Sequence, residues 1–183
     1  MIILSIDIGE KNLGYTIAEV ESLPFKLKDA NLISGVFDYK NKGNNVVLSR
    51  VSSLHQFFQD HIHDEVKFAI IERQVTMNKI AMELMYAVTA IIYNYTTDIV
   101  IFDPKMKFTH IGQQYDTKNK NHKKQSIKNM RVVLSHVEKP ELLTVLDAAE
   151  KKDDIADSFN QFIVCCDDRK YLDIEDIRDL YRE

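Results

Sequence analysis

Residues 1–15, MIILSIDIGEKNLGY, decide the fold. Ile2–Ile8 is almost wholly apolar and alternates poorly, as a strand buried on both faces does. Gly9 and Asn12 mark a tight turn, and Leu13–Val20 reads as the hairpin partner. Asp7 interrupts the apolar run between Ile6 and Ile8. A carboxylate there is costly unless it is paired, protonated, metal-bound or relieved by exposure at the strand end. The acid inside the apolar stretch, with no basic segment before it, argues for a first core strand and against a secretory leader.

Outward from this hairpin, Leu32–Tyr39 reads as a third strand after a polar connection around residues 23–31. The period then changes. Val47, Val51, Leu54, Phe57, Phe58 and Ile62 recur at helical spacing. Val66–Ile71 is a short β-rich run ending at Glu72. Ile80, Leu84, Val88, Ile91 and Ile92 predict another helix, and Ile99–Phe102 another buried strand. Helices are expected around His122–His136, Glu141–Ala149, Asp153–Cys165 and Ile174–Tyr181. The order βββαβαβ followed by helices predicts an α/β fold. Its sheet is mixed and five-stranded, a three-strand meander followed by parallel strands, with flanking helices.

Size and composition agree with one domain over residues 1–183: 45% of the residues are hydrophobic, and five glycines and three prolines leave little room for linkers. No apolar run approaches the roughly 18 residues that span a bilayer, so no membrane partner is expected. Cys165 and Cys166 are adjacent and cannot staple a fold, which favours a reducing, intracellular setting and buried thiol packing. His61 and His63, beside Asp64 and Glu65, read as solvated, because no further zinc ligands cluster there. Neither a nucleophilic-serine context nor a glycine-rich phosphate loop is present.

The net charge of −4 conceals three zones. Residues 1–103 carry 9 basic and 13 acidic side chains, residues 104–140 carry 9 and 2, and residues 141–183 carry 6 and 13. A basic middle in an acidic chain predicts one cationic surface. Its sharpest run holds Lys118, Lys120, Lys123 and Lys124, with Lys105, Lys107, Lys128 and Arg131 around it. A solvated helix face explains such a run equally well unless acidic catalytic chemistry lies nearby.

The acids supply that chemistry. Glu72 ends its strand as Asp7 nearly ends the first, and the carboxyl end of a parallel strand usually faces a cleft. Asp153, Asp154 and Asp157 lie near the start of a late helix, where capping and the helix dipole alone would account for them. Asp154 and Asp157 are i,i+3 neighbours, and Asp153 and Asp157 are i,i+4, so either pair shares a face. Ile155, Phe159, Phe162 and Ile163 face the core, leaving all three aspartates on the other side. Clustered carboxylates repel unless a hard cation sits among them, and Mg²⁺ or Mn²⁺ prefers oxygen ligands. Two such ions about 4 Å apart stabilise the attacking and leaving oxygens of phosphodiester hydrolysis. The residues therefore read as a metal-dependent phosphodiesterase with a cationic substrate face.

Four segments carry a more specific resemblance. Ile6-Asp-Ile-Gly-Glu-Lys-Asn-Leu-Gly-Tyr15 resembles the first-strand turn of the RuvC branch of the ribonuclease H-like superfamily. Ala69-Ile-Ile-Glu-Arg-Gln-Val-Thr-Met77 resembles its second motif, Lys123-Lys-Gln125 its lysine-and-glutamine segment, and Lys152-Asp-Asp-Ile-Ala-Asp-Ser158 its last motif. The poxvirus Holliday junction resolvases are similar in length and in the KKDDIADS type of ending. The resemblance implies a homodimer that nicks four-way DNA junctions in pairs with two Mg²⁺ per site, Mn²⁺ being a substitute. On it Asp7, Glu72, Asp154 and Asp157 are the expected metal ligands and catalytic residues. Asp153 is the alternative to Asp154, and periodicity does not decide between them. Lys124 is the catalytic cation expected at the scissile phosphate, with Lys123 as alternative. The segment after Glu72 lacks an aromatic wedge, leaving Met77 as the apolar candidate. Helix 77–95 carries more apolar surface than one stripe needs, as an interface helix or a wholly buried one would. The poxvirus resemblance also implies the host cytoplasm and a role in recombination and concatemer processing. Two other functions fit the same acids: a ribonuclease on RNA–DNA hybrid, and a non-catalytic junction-binding protein.

Overall fold

The computed structural model describes residues 1–39, 46–75, 77–110 and 121–172. The expected helix 174–181, Lys118 and Lys120 lie outside them. Strands β1 (Ile2–Ile8), β2 (Asn12–Glu19), β3 (Asn31–Asp38), β4 (Val66–Glu72) and β5 (Ile99–Phe102) form one sheet in the order β3-β2-β1-β4-β5. The first three strands pair antiparallel, while β4 joins β1, and β5 joins β4, in parallel. This is the meander followed by parallel strands that the element order predicts. Gly9 N–H donates to Asn12 O at 2.9 Å to close the β1–β2 turn.

Helices cover both faces. Helices α1 (Val46–His61) and α2 (Lys79–Ile92) bury Ile2, Leu4, Ile6 and Ile8 with Leu54, Phe58, Leu84 and Val88. On the opposite face lie a one-turn helix α3 (Met106–Thr109), then α4 (His122–His136), α5 (Pro140–Ala148) and α6 (Lys152–Asp168). They pack Met130, Val133, Leu146, Phe159 and Phe162 against Ile3, Phe68 and Ile70. Period 2 thus sends the even β1 residues to one core and Ile3, Ser5 and Asp7 to the other.

Helix α6 crosses the sheet through a polar seam. Ser5 Oγ donates to Ser158 O at 2.7 Å, and the Thr16 and Ser158 hydroxyls lie 3.2 Å apart. Gln161, fully buried, donates Nε2–H to Ile6 O at 2.9 Å. These bonds satisfy polar atoms that burial would otherwise penalise, and they fix the helix in rotation and height on the sheet.

Two details depart from the sequence reading. The connection at 23–31 is not simply polar: Phe25, Leu27 and Ala30 are buried under the α4–α6 layer, and Phe25 bridges to Leu172. Their irregular spacing hides this from any period test. Helix α3 is the second departure, since four residues offer no helical periodicity to read. Cys165 and Cys166 are buried free thiols, as expected. Among the described residues no helix is long and apolar enough to cross a membrane.

Candidate active site

Parallel pairing of β1 with β4 sets Ile6 opposite Ile71. One residue further on each strand come Asp7 and Glu72, side by side at the carboxyl edge of the sheet. Asp7 is paired on its other side with Gly14 of β2. Gly14 has a steric reason to be glycine: a Cβ there would lie 2.2 Å from the backbone oxygen of Asp154. Its absence lets the first turn of α6 settle directly on the hairpin. Asn12, at the start of β2, then donates Nδ2–H to Asp154 Oδ2 at 2.5 Å.

The three aspartates of α6 point to three different partners. Asp153 pairs with Lys123 of α4. Asp154 is held by Asn12. Asp157 accepts from Ser126 Oγ of α4 at 2.5 Å and lies 3.5 Å from Lys107 Nζ. Ser126 is itself buried and receives Asn160 Nδ2–H at 2.8 Å, so α4 and α6 lock together behind Asp157.

Lys107 departs most from its sequence reading. It was expected on the cationic surface, yet it is 4% exposed, with Nζ 2.5 Å from Glu72 Oε2. The β4–β5 register explains this. Glu72 pairs with Phe102 at the end of β5, and α3 begins four residues later, beside the edge that holds the acids. A linear charge count does not distinguish a lysine on a surface from one turned inward.

The electrostatics follow this crowding. Burial, then repulsion from Glu72, pushes the Asp7 carboxyl well above the ordinary range, with Asp157 and Asp154 adding to the rise. Burial raises Glu72 as well, against the pull of Lys107. Burial works against the Lys107 ammonium, but attraction to Glu72, Asp157 and Asp7 overrides it and keeps the proton on. Asp154 is raised by burial. Asp153 behaves otherwise: burial pushes it up, but the hydrogen bond from Lys123, a backbone hydrogen bond and the charges of Lys123 and Lys151 together outweigh that, and its net shift is downward. The carboxylates that act on Asp7 are therefore Glu72, Asp157 and Asp154.

Carboxylate oxygens gathered at one place, with burial raising Asp7, Glu72 and Asp154, suit a hard divalent cation. Among the described residues no three acidic, histidine or cysteine side chains stand as a ready-made metal cage. The Lys107 ammonium sits there as counter-charge. Of the other expected cations, Lys105, Lys124 and Lys128 are exposed, Lys123 is exposed but tied to Asp153, and Arg131 is paired with Asp147. Asn12 and Ser126 carry no signal of a site role in the sequence. Their bonds to α6 span 142 and 31 residues, and nothing local in the sequence announces them.

The fold has known relatives. A fowlpox virus resolvase solved with its Holliday junction substrate is 22% identical, with TM-score 0.64, over 92% of this chain and 99% of that one. The yeast mitochondrial Holliday junction resolvase Ydc2 is 15% identical, with TM-score 0.62, over 98% of this chain and 82% of that one. RuvC of Thermus thermophilus is 15% identical, with TM-score 0.58, over 93% and 98% respectively. Comparison with curated proteins gives no match. The shared fold is ribonuclease H-like, as the four motifs imply. The family model described as Poxvirus A22 protein matches residues 1–165, the span from the Asp7 strand through the helix of Asp154 and Asp157. By that match this chain belongs to the Poxvirus A22 protein family.

Proposed function

We propose that this chain is a Holliday junction resolvase, a divalent-metal-dependent DNA endonuclease of viral recombination and concatemer processing in the host cytoplasm. The observation that carries the reading is the convergence of Asp7, Glu72, Asp154 and Asp157 on one sheet edge from three separate elements. The family and the resolvase folds it resembles support the choice of branched DNA as substrate.

In this reading those four acids hold Mg²⁺, two ions per site, with Mn²⁺ as substitute. The metal supplies a Lewis acid at the scissile phosphate and a more acidic bound water. The chain contributes the rest. Asn12 and Ser126 orient Asp154 and Asp157, leaving each aspartate with oxygen lone pairs to spare. Lys124 is the exposed cation for the cleaved phosphate, since Lys123 is engaged by Asp153. Asp153 is thereby a lysine partner, and Asp154 is the ligand.

A homodimer completes the proposal, because two symmetric nicks need two sites at fixed separation and a two-fold pair matches the junction. Met85, Ile91 and Ile92 of α2 face the core, whereas Ile80, Tyr86 and the capping Tyr93 are exposed, so the helix keeps outward apolar side chains for a second copy. Met77, 94% exposed in the segment after Glu72 and more so than Val75 at 66%, is an apolar side chain available to unstacked bases.

The test is cleavage of end-labelled four-way junction, linear duplex and RNA–DNA hybrid in Mg²⁺, with Asp7→Asn as control. Paired symmetric nicks confined to the junction are expected, and Asp7→Asn should abolish them while leaving junction binding nearly unchanged. Cleavage of the hybrid alone would make the protein a ribonuclease. Binding without any cut would make it a non-catalytic junction binder. An Asp7→Asn variant that cuts like the parent would sink the metal assignment.

A further inference from the structure

Lys107 occupies the position that a metal reading of the site leaves for a cation. Its ammonium touches Glu72 Oε2 at 2.5 Å, stands 3.5 Å from Asp157 Oδ2, and is 4% exposed. Both acids are proposed metal ligands, and they come from different elements, β4 and α6. A protonated lysine has three donors and no acceptor, so it satisfies carboxylate oxygens as a hard cation does. A divalent ion and the ammonium therefore need the same oxygens, in a space closed to solvent on the lysine side.

We infer that Lys107 is a built-in counter-cation that holds the acid cluster together before metal arrives and that a divalent ion must displace. This rests on the proposed metal site. The lysine keeps Glu72 and Asp157 drawn toward each other and gives the mostly buried Glu72 carboxylate its counter-charge, which it would otherwise lack without a metal ion. The same attraction weakens metal binding, because two ligands that compete for one set of atoms are negatively coupled, and equally so in both directions. A lysine placed to support the bound metal from outside its ligands would have the opposite effect, since its loss would weaken metal binding.

The experiment is calorimetric titration of Mn²⁺ into the DNA-free protein, for the parent and for Lys107→Met, with thermal unfolding in EDTA and in Mn²⁺. Lys107→Met keeps the length and burial of the stem and removes the charge. The expected result is Mn²⁺ binding tightened about tenfold or more. In EDTA the variant's melting temperature should fall by about 5–10 °C, and Mn²⁺ should restore most of it. A variant that folds only in Mn²⁺ carries the same meaning. Lys107→Gln, smaller and polar, is measured beside it. If neither variant folds even in Mn²⁺, the lysine does something a metal ion does not replace, and the proposal is overturned. Equal or weaker Mn²⁺ binding by Lys107→Met overturns the competition while leaving the metal site intact. Absence of Mn²⁺ binding in both parent and variant overturns the metal site and the proposal together.

Discussion

Asp7 is placed where its charge is unwelcome. It sits in a strand whose neighbours are fully buried, beside Glu72, and burial followed by that repulsion raises its carboxyl well above the usual range. An acid whose folded value lies above its unfolded one binds its proton more tightly in the native state. Its ionisation therefore subtracts stability at pH values above the folded value, and the loss is relieved as pH falls through it. Asp7→Asn removes this penalty together with the proposed metal ligand. In metal-free buffer at pH 7 the variant should melt a few degrees above the parent, about 1 kcal/mol corresponding to roughly 2–4 °C at this chain length. The gap should narrow as pH is lowered toward 4, when the parent's carboxyl takes up its proton. Melting curves at several pH values check both parts, and a variant less stable than the parent at pH 7 would mean that Asp7 is satisfied without metal. Stability gained on removal of a functional acid is the signature of a site arranged for something other than folding.

At the scale of elements, α6 is held on the sheet by bonds that also aim its acids. Ser126 of α4 is the narrowest link: its hydroxyl donates to Asp157 and accepts from Asn160 Nδ2–H, and the Asn160 amide oxygen is buried and without a partner among the described residues. Ser126→Ala leaves Asp157 without that donor and Asn160 with the Ser126 backbone oxygen alone. About 1–3 kcal/mol of stability should be lost, and cleavage should fall about 10–100-fold, as for partners that orient metal ligands. Thermal unfolding and single-turnover cleavage separate the two effects; full activity with lowered stability would make the hydroxyl a packing element only. The elements that carry Asp7, Glu72, Asp154 and Asp157 were legible because each combines a plain apolar run or stripe with a polar exception. Near-continuous apolar runs that end in an acid mark buried strands with candidate site residues at their ends, and an apolar stripe opposite three aspartates marks a helix that presents them. Lys107, Asn12 and Ser126 were not legible as parts of the site. Lys107 lies on a helix shorter than any period, and the partners of Asn12 and Ser126 are chosen by the way α6 crosses the sheet. The brace at Phe25, Leu27 and Ala30 escaped for a related reason, since its burial comes from the helices above it and not from its own pattern.

Over the whole molecule, the acids and the exposed lysines of α4 lie toward the same one of the sheet's two ends. Glu72 closes β4, while Lys67 is exposed near its amino end, about 17 Å away by strand rise. Lys124 and Lys128 lie one turn apart on α4, exposed, on the helix whose Ser126 reaches Asp157. Net charge is negative, so the proposed binding to DNA would depend on this local positive surface and not on overall attraction. Each lysine that meets a phosphate releases counterions, and the logarithm of affinity falls with the logarithm of salt by about 0.9 for each contact. Replacing Lys124 and Lys128 by alanine should lower that slope by up to about 1.8, and Lys67→Ala should leave it unchanged. Junction binding measured across salt concentrations with Asp7→Asn in the background keeps cleavage from distorting the result. A slope that drops for Lys67 and not for the α4 pair would turn the molecule around on its substrate and put the acids on the side away from the DNA. A slope reduced only by the α4 pair would put the junction backbone across the end of the sheet where Asp7 and Glu72 stand together.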